Sequence, residues 1–164
     1  MIDNIEKKVT SEDFTVFEIW RHGYKDSTLA FSYKYEAEYA LSIQIWYEYL
    51  EEDKIISIHK IIAQHVLEHK HFVLASISDI SQVEGSFHLA NEWVVEKFMS
   101  KSVSFGYKYA FFVKPKDLVA ELALEDALER LKKIEGLQEV KIFEDMASAY
   151  QYAKAIIKNN LNNK

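Results

Sequence analysis

His65 and His69 stand four residues apart and His71 follows closely, so a helix through them places two imidazoles on one face with a third nearby. Such pairs are raw material for a zinc site, but a catalytic zinc needs three ligands and a base. The chain holds no His-Glu-x-x-His pattern, and the flank of an amphipathic helix calls for polar residues in any case. The histidines therefore read as structural, and no metal or cofactor is expected. The acid pairs Glu51-Glu52-Asp53, Glu125-Asp126 and Glu144-Asp145 could in principle serve as general acid and base. Each is expected at a helix start, where carboxylates complement the macrodipole. With no cysteine, no glycine-rich phosphate loop, no nucleophile elbow and no triad spacing, the expectation is a protein without catalytic activity.

The segment that reads as addressed to a partner is the polar run from Ser76 to Ser86. An apolar run, Phe72-Val73-Leu74-Ala75, precedes it and an amphipathic helix from about Ser86 to Met99 follows, with Tyr107–Val113 as the next buried strand. The run is thus expected to be a loop at the carboxyl end of a strand, where open α/β sheets meet their ligands. Ser78, Asp79, Ser81, Glu84, Ser86 and His88 are its candidate contact or regulatory residues. Ser86, at the expected helix start, is the natural cap and also a position where a phosphate would meet unpaired N–H groups. Along the following helix Phe87, Ala90, Val94 and Phe98 form the apolar stripe, and Trp93 falls beside it.

The elements that must position this segment follow from periodicity. Residues 14–20, 28–35 and 39–49 read as three strands of an antiparallel meander, rich in β-branched and aromatic residues. The first ten residues and the last few are expected to be loose. Ile55, Ile58, Ile62, Val66 and His69 mark the first crossover helix. A helix over about 117–134 is expected to be capped by Asp117, to bury Leu118, Leu122, Leu128 and Leu131, and to stop at Gly136 in the left-handed conformation. Residues 139–143 form a last strand and Met146, Ala149, Tyr150, Ala153 and Ile157 a last helix. The expected fold is α/β: a mixed sheet in the order βββαβαβαβα, with an N-terminal antiparallel meander followed by parallel βαβ units.

Composition sets the outer limits. The 164 residues suit one domain with an ordered core over about 13–157, and 49% hydrophobic residues exclude a disordered chain. Net charge is −6, with no basic run to displace counterions, which argues against a nucleic-acid partner. No stretch has the length of a membrane span or the core of a signal peptide, so a cytoplasmic protein is expected. Aromatic residues reach 14%, and many lie in the early strands. Adjacent Trp46 and Tyr47 must point to opposite faces, so the meander carries aromatics on both. Trp20, Trp46, Tyr47 and Trp93 are the candidate interface aromatics.

The element order, with Ser78-Asp79-Ile80-Ser81-Gln82-Val83 between a buried strand and a helix, resembles the STAS (anti-sigma-factor antagonist) fold. Gly106–Val113 as a strand and Val140–Ala149 as a strand-to-helix join fit the same pattern, and the likeness covers roughly residues 13–157. It is nearest to the branch of small bacterial STAS-like proteins, a neighbour in shape of the lipid-binding CRAL-TRIO domains. The resemblance implies a phosphorylatable serine at the helix start, which only Ser86 matches, because the Asp-Ser-Ser-Gly ending of the family loop is missing. Together these readings lead to a noncatalytic binding or regulatory module acting through protein contacts, with a homodimer through the aromatic meander. The alternative is a carrier of a small apolar ligand or lipid.

Overall fold

A computed structural model describes the backbone of residues 4–9, 14–21 and 24–163, and the side chains of residue 31 and residues 33–163. Seven strands make one sheet whose spatial order equals the chain order. They are β1 (Asn4–Val9), β2 (Phe14–Arg21), β3 (Tyr24–Glu36), β4 (Leu41–Glu48), β5 (Ala75–Val83), β6 (Tyr109–Val113) and β7 (Glu139–Phe143). The first four pair antiparallel and the rest parallel. The expected mixed α/β order is therefore present, with one strand more: Asn4–Val9, expected to be loose, pairs in register with β2 from Asn4 opposite Trp20 to Val9 opposite Thr15. An edge position asks little of an alternating polar segment beyond its backbone hydrogen bonds.

The helices are α1 (Glu52–Glu68), α2 (His88–Asn91), a π-helical segment (Glu92–Met99), α3 (Ser100–Ser104), α4 (Leu118–Leu131) and α5 (Met146–Asn162). Because β4 to β7 advance one place at a time in one direction, right-handed crossovers put α1, the α2–α3 stretch and α4 on the same face of the sheet. The opposite face receives α5 alone, against β5, β6 and β7.

Alternation along the strands then sorts two interiors. On the α5 face Leu41, Ala75, Ile77, Tyr109, Phe111 and Val113 meet Ala149, Ala153 and Ile157, all buried. On the crossover face Phe31, Tyr33, Tyr35, Trp46 and Ile80 meet Ile55, Ile58 and Ile62 of α1. Asp145 caps α5 by accepting from the Ser148 N–H at 2.7 Å, and Asp117 caps α4 from the Ala120 N–H at 2.9 Å, the latter as its sequence position predicts. Gly136 sits at φ +91°, the expected left-handed stop. The buried side of α4 differs from the expectation: Ala120, Ala123, Leu124, Ala127 and Leu131 face inward, while Leu118 and Leu122 are 70% and 58% exposed. Small residues win that side because α4 lies close against α2 and the π-helical segment. Glu125-Asp126 lies in mid-helix rather than at a start, and Asp126 is tied to Arg130 at 3.1 Å.

Candidate functional site

The run from Ser76 to Ser86 is not a loop for most of its length. Residues 75–83 are β5, paired on both sides, so Ser78, Asp79 and Ser81 are strand residues. Serine and aspartate look like turn formers in sequence, but a strand flanked by two others supplies every backbone partner and overrides that local preference. A bulge hides the alternation: Ile45 opposes Asp79 but Tyr47 opposes Gln82, so β5 carries one extra residue there. The shift turns both Ile80 and Val83 toward the crossover helices. Asp79 is buried and accepts from the Ser81 N–H at 3.0 Å. Only Glu84 to Phe87 remains a connection before α2.

Beneath α1 and the π-helical segment lies a cavity of about 1000 Å³. Its floor is the crossover face of the central strands. There Ser42 and Gln44 of β4 stand beside Ser76 and Ser78 of β5, in register, with Tyr33 of β3 opposite Gln44 and Tyr35 opposite Ser42. Three serines in place of large aliphatic side chains leave room where the other face is filled. Ile62, Ala63 and Val66 of α1 form one wall, and Trp93, Val94 and Phe98 the other. The π-helical stretch from Glu92 to Met99 explains the second wall: i→i+5 bonding widens the turn, so adjacent pairs such as Val94 and Val95 both turn inward. Asn91, expected on the polar side, is buried as well and donates to Ala123 O at 2.8 Å and Asp126 Oδ2 at 2.9 Å. The second of those bonds is the largest influence holding the Asp126 carboxyl below its ordinary range, and Arg130 adds to it.

The buried polar groups around the cavity are uncharged. His59, 7% exposed, donates from Nδ1 to Ile55 O at 2.8 Å, and burial pulls its pKa from 6.5 down to about 4. Burial likewise raises the phenols of Tyr33 and Tyr107, and Tyr107 pairs with Ser76 at 2.6 Å. The lining lysines Lys60, Lys70, Lys97 and Lys101 are exposed, and so are Glu48, Glu68 and Glu84. The rim also shows apolar groups: Tyr49, Leu67, Phe72 and Phe105 line the cavity and are more than half exposed.

The structure brings Ser78, Glu84 and Ser86 together with Trp46 and Trp93 around this cavity. The connection is held by Asp117, which accepts from the Gly85 N–H at 3.1 Å while capping α4. Gly85 sits at φ +74°, and a Cβ there would come within 2.9 Å of the Tyr49 ring, so both conformation and space require glycine. Ser86, expected to cap the helix, lies one residue before the observed N-cap Phe87; its hydroxyl accepts from the His88 N–H at 3.3 Å and meets His88 Nδ1 at 2.8 Å. Trp46, read as an interface aromatic, is 7% exposed and packs on Phe31 and His59 with ring centroids 4.5 and 5.1 Å apart. Tyr47 is half-buried and points to the opposite face, Trp93 is half-buried beside Lys60, and the Trp20 side chain lies outside the described residues.

His65, His69 and His71 do cluster, with ring centroids 4.2 to 5.5 Å apart, but His69 Nδ1 donates to His65 O and His71 stacks on Tyr35 at 3.9 Å. Among the described residues no group of three such side chains is placed to hold a metal ion. No helix among them is long and apolar enough to cross a membrane. The sequence reading missed Ser42, Gln44, His59 and Ser76; the available signal was the run of small polar residues at alternate positions on two strands that must be central. Comparison with known proteins finds no matching family model, curated protein or solved structure.

Proposed function

We propose that this chain is a noncatalytic carrier of a small apolar ligand or lipid, held between the sheet and α1. The observation that carries the reading is the cavity of about 1000 Å³ with a mainly apolar wall. Space on that scale matches ligand pockets, which combine apolar walls with a few placed polar groups. The exposed Tyr49, Leu67, Phe72 and Phe105 at the rim offer an apolar path between cavity and surface. The element order supports keeping the STAS-like resemblance as part of the proposal, with its kinship in shape to lipid-binding domains.

The carrier reading is preferred to a module acting through protein contacts because Trp46, one of the four aromatics on which that reading leaned, lies inside. Native mass spectrometry of the full chain purified from its own host tests the proposal. The expected result is a retained mass of lipid size that disappears in Ala63→Trp, a substitution that places an indole in the cavity. A chain that carries no extra mass and takes up no lipid from vesicles would sink it.

A further inference from the structure

The cavity floor carries hydrogen-bonding groups that its own protein does not use. Gln44 is 7% exposed, lines the cavity and makes no side-chain hydrogen bond among the described residues. Its amide reaches the cavity surface rather than being sealed into the packing, so a polar group in the cavity can meet it. Ser78 stands beside it in register on β5, and Ser42 lies two residues before it on the same face. Neither hydroxyl has a partner among the described residues. Cross-strand neighbours are about 5 Å apart, so one small polar group could meet Gln44 and Ser78 together. From the α1 side, His59 spends Nδ1 on Ile55 O, which leaves Nε2 as an acceptor on a side chain that also lines the cavity.

None of these groups is a cation. The lysines that line the cavity are all exposed, as are Glu48, Glu68 and Glu84. A carboxylate drawn down to Gln44 would lose its hydration without gaining a counter-charge, whereas a hydroxyl or carbonyl would find both a donor and an acceptor.

Resting on the carrier reading, we infer that Gln44, Ser78 and Ser42 form a headgroup site on the sheet floor that takes an uncharged oxygen, so the ligand is a neutral lipid. An alcohol or carbonyl at one end of an apolar chain fits; a fatty carboxylate does not. The amide of Gln44 donates to that oxygen and accepts from its hydrogen where it has one, and the tail lies along Val66, Val94 and Phe98.

Competition by native mass spectrometry at neutral pH, with the full chain, tests this. Cetyl alcohol, palmitate and hexadecane are the probes, since they share a tail and differ in the head. The alcohol complex is expected to exceed the palmitate complex by about tenfold or more, as the desolvation of an unpaired carboxylate requires. Gln44→Leu is expected to weaken the alcohol by about threefold to tenfold and leave hexadecane unchanged or better bound. Ser78→Ala, which removes one small group and keeps the strand, is expected to weaken the alcohol about threefold, so the test survives if Gln44→Leu fails to fold. Palmitate binding as well as the alcohol, or an alcohol preference untouched by both substitutions, overturns the headgroup site. If all three probes bind alike the carrier reading stands and this inference falls; if none binds, both fall.

Discussion

The two faces of the sheet are built from the same strands and have opposite interiors. On the α5 face Leu41, Ile77, Phe111 and Val113 meet Ala149, Ala153 and Ile157 in one apolar cluster, and all are at most 2% exposed. On the crossover face the residues alternating with these, Ser42, Gln44, Ser76 and Ser78, leave a hollow. Helices cover both faces, and among the described residues only one of them keeps a hollow beneath its helices. The lesson is that covering a sheet with helices does not make a core: the α5 face supplies stability, and the crossover face spends some of it on a volume.

The contrast can be broken most strongly on the filled side. Phe111→Ala, in the middle of β6, should cost about 3–5 kcal/mol in urea denaturation, since its neighbours on β5, β7 and α5 cannot collapse around the gap. Ser78→Leu, one strand away but facing the hollow, should change stability by less than about 1 kcal/mol, because it enlarges a side chain into open space rather than into a packed one. Equal losses from the two would mean that the faces do not differ in packing.

The next effect belongs to His59, which burial holds neutral in the roof of the hollow. Its folded pKa of about 4 lies below the unfolded value of 6.5, so the unfolded chain binds a proton the folded chain refuses. Stability tied to this group is fully present above pH 6.5 and falls as pH drops toward 4, by roughly 3 kcal/mol. Thermal melts across that range should show a steep acid loss in the wild type and a shallower one in His59→Phe; parallel curves would show that the imidazole is solvated. The smallest effect compares the two caps. Asp145→Ala and Asp117→Ala should each cost about 1 kcal/mol. Only Asp117→Ala should also speed amide exchange at Gly85, because that carboxylate alone ties the cavity rim to a helix start.

How much of this was legible in the sequence follows the same division. The strand from Glu139 to Phe143, the cap at Asp117, the stop at Gly136 and the stripe of α5 could be read because local pattern and tertiary role agree there. On the crossover face they disagree. Ser78 and Gln44 sit at positions that an alternating pattern assigns to solvent, yet helices cover them. The bulge in β5 breaks the alternation that would have marked residues 75–83 as a strand, and a π-helical turn brings Val95 inward beside Val94 against the usual helical period. Leu118 and Leu122 misled in the other direction, since small residues let α4 approach its neighbours and larger ones could not. What the pattern cannot express is the distance between layers, and the hollow is a matter of that distance.

The sheet's spatial order, identical to its order along the chain, has a consequence for how the molecule forms. Each strand adds beside the one just placed, and no connection reaches across another. Long closures, whose entropy slows folding, are thereby avoided, so assembly should proceed faster than in a sheet of similar size with shuffled strands. The helices that border the hollow are the successive connections β4 to β5, β5 to β6 and, through Leu124, Ala127 and Leu131, β6 to β7, so its walls are built by neighbouring stretches of chain and owe nothing to α5.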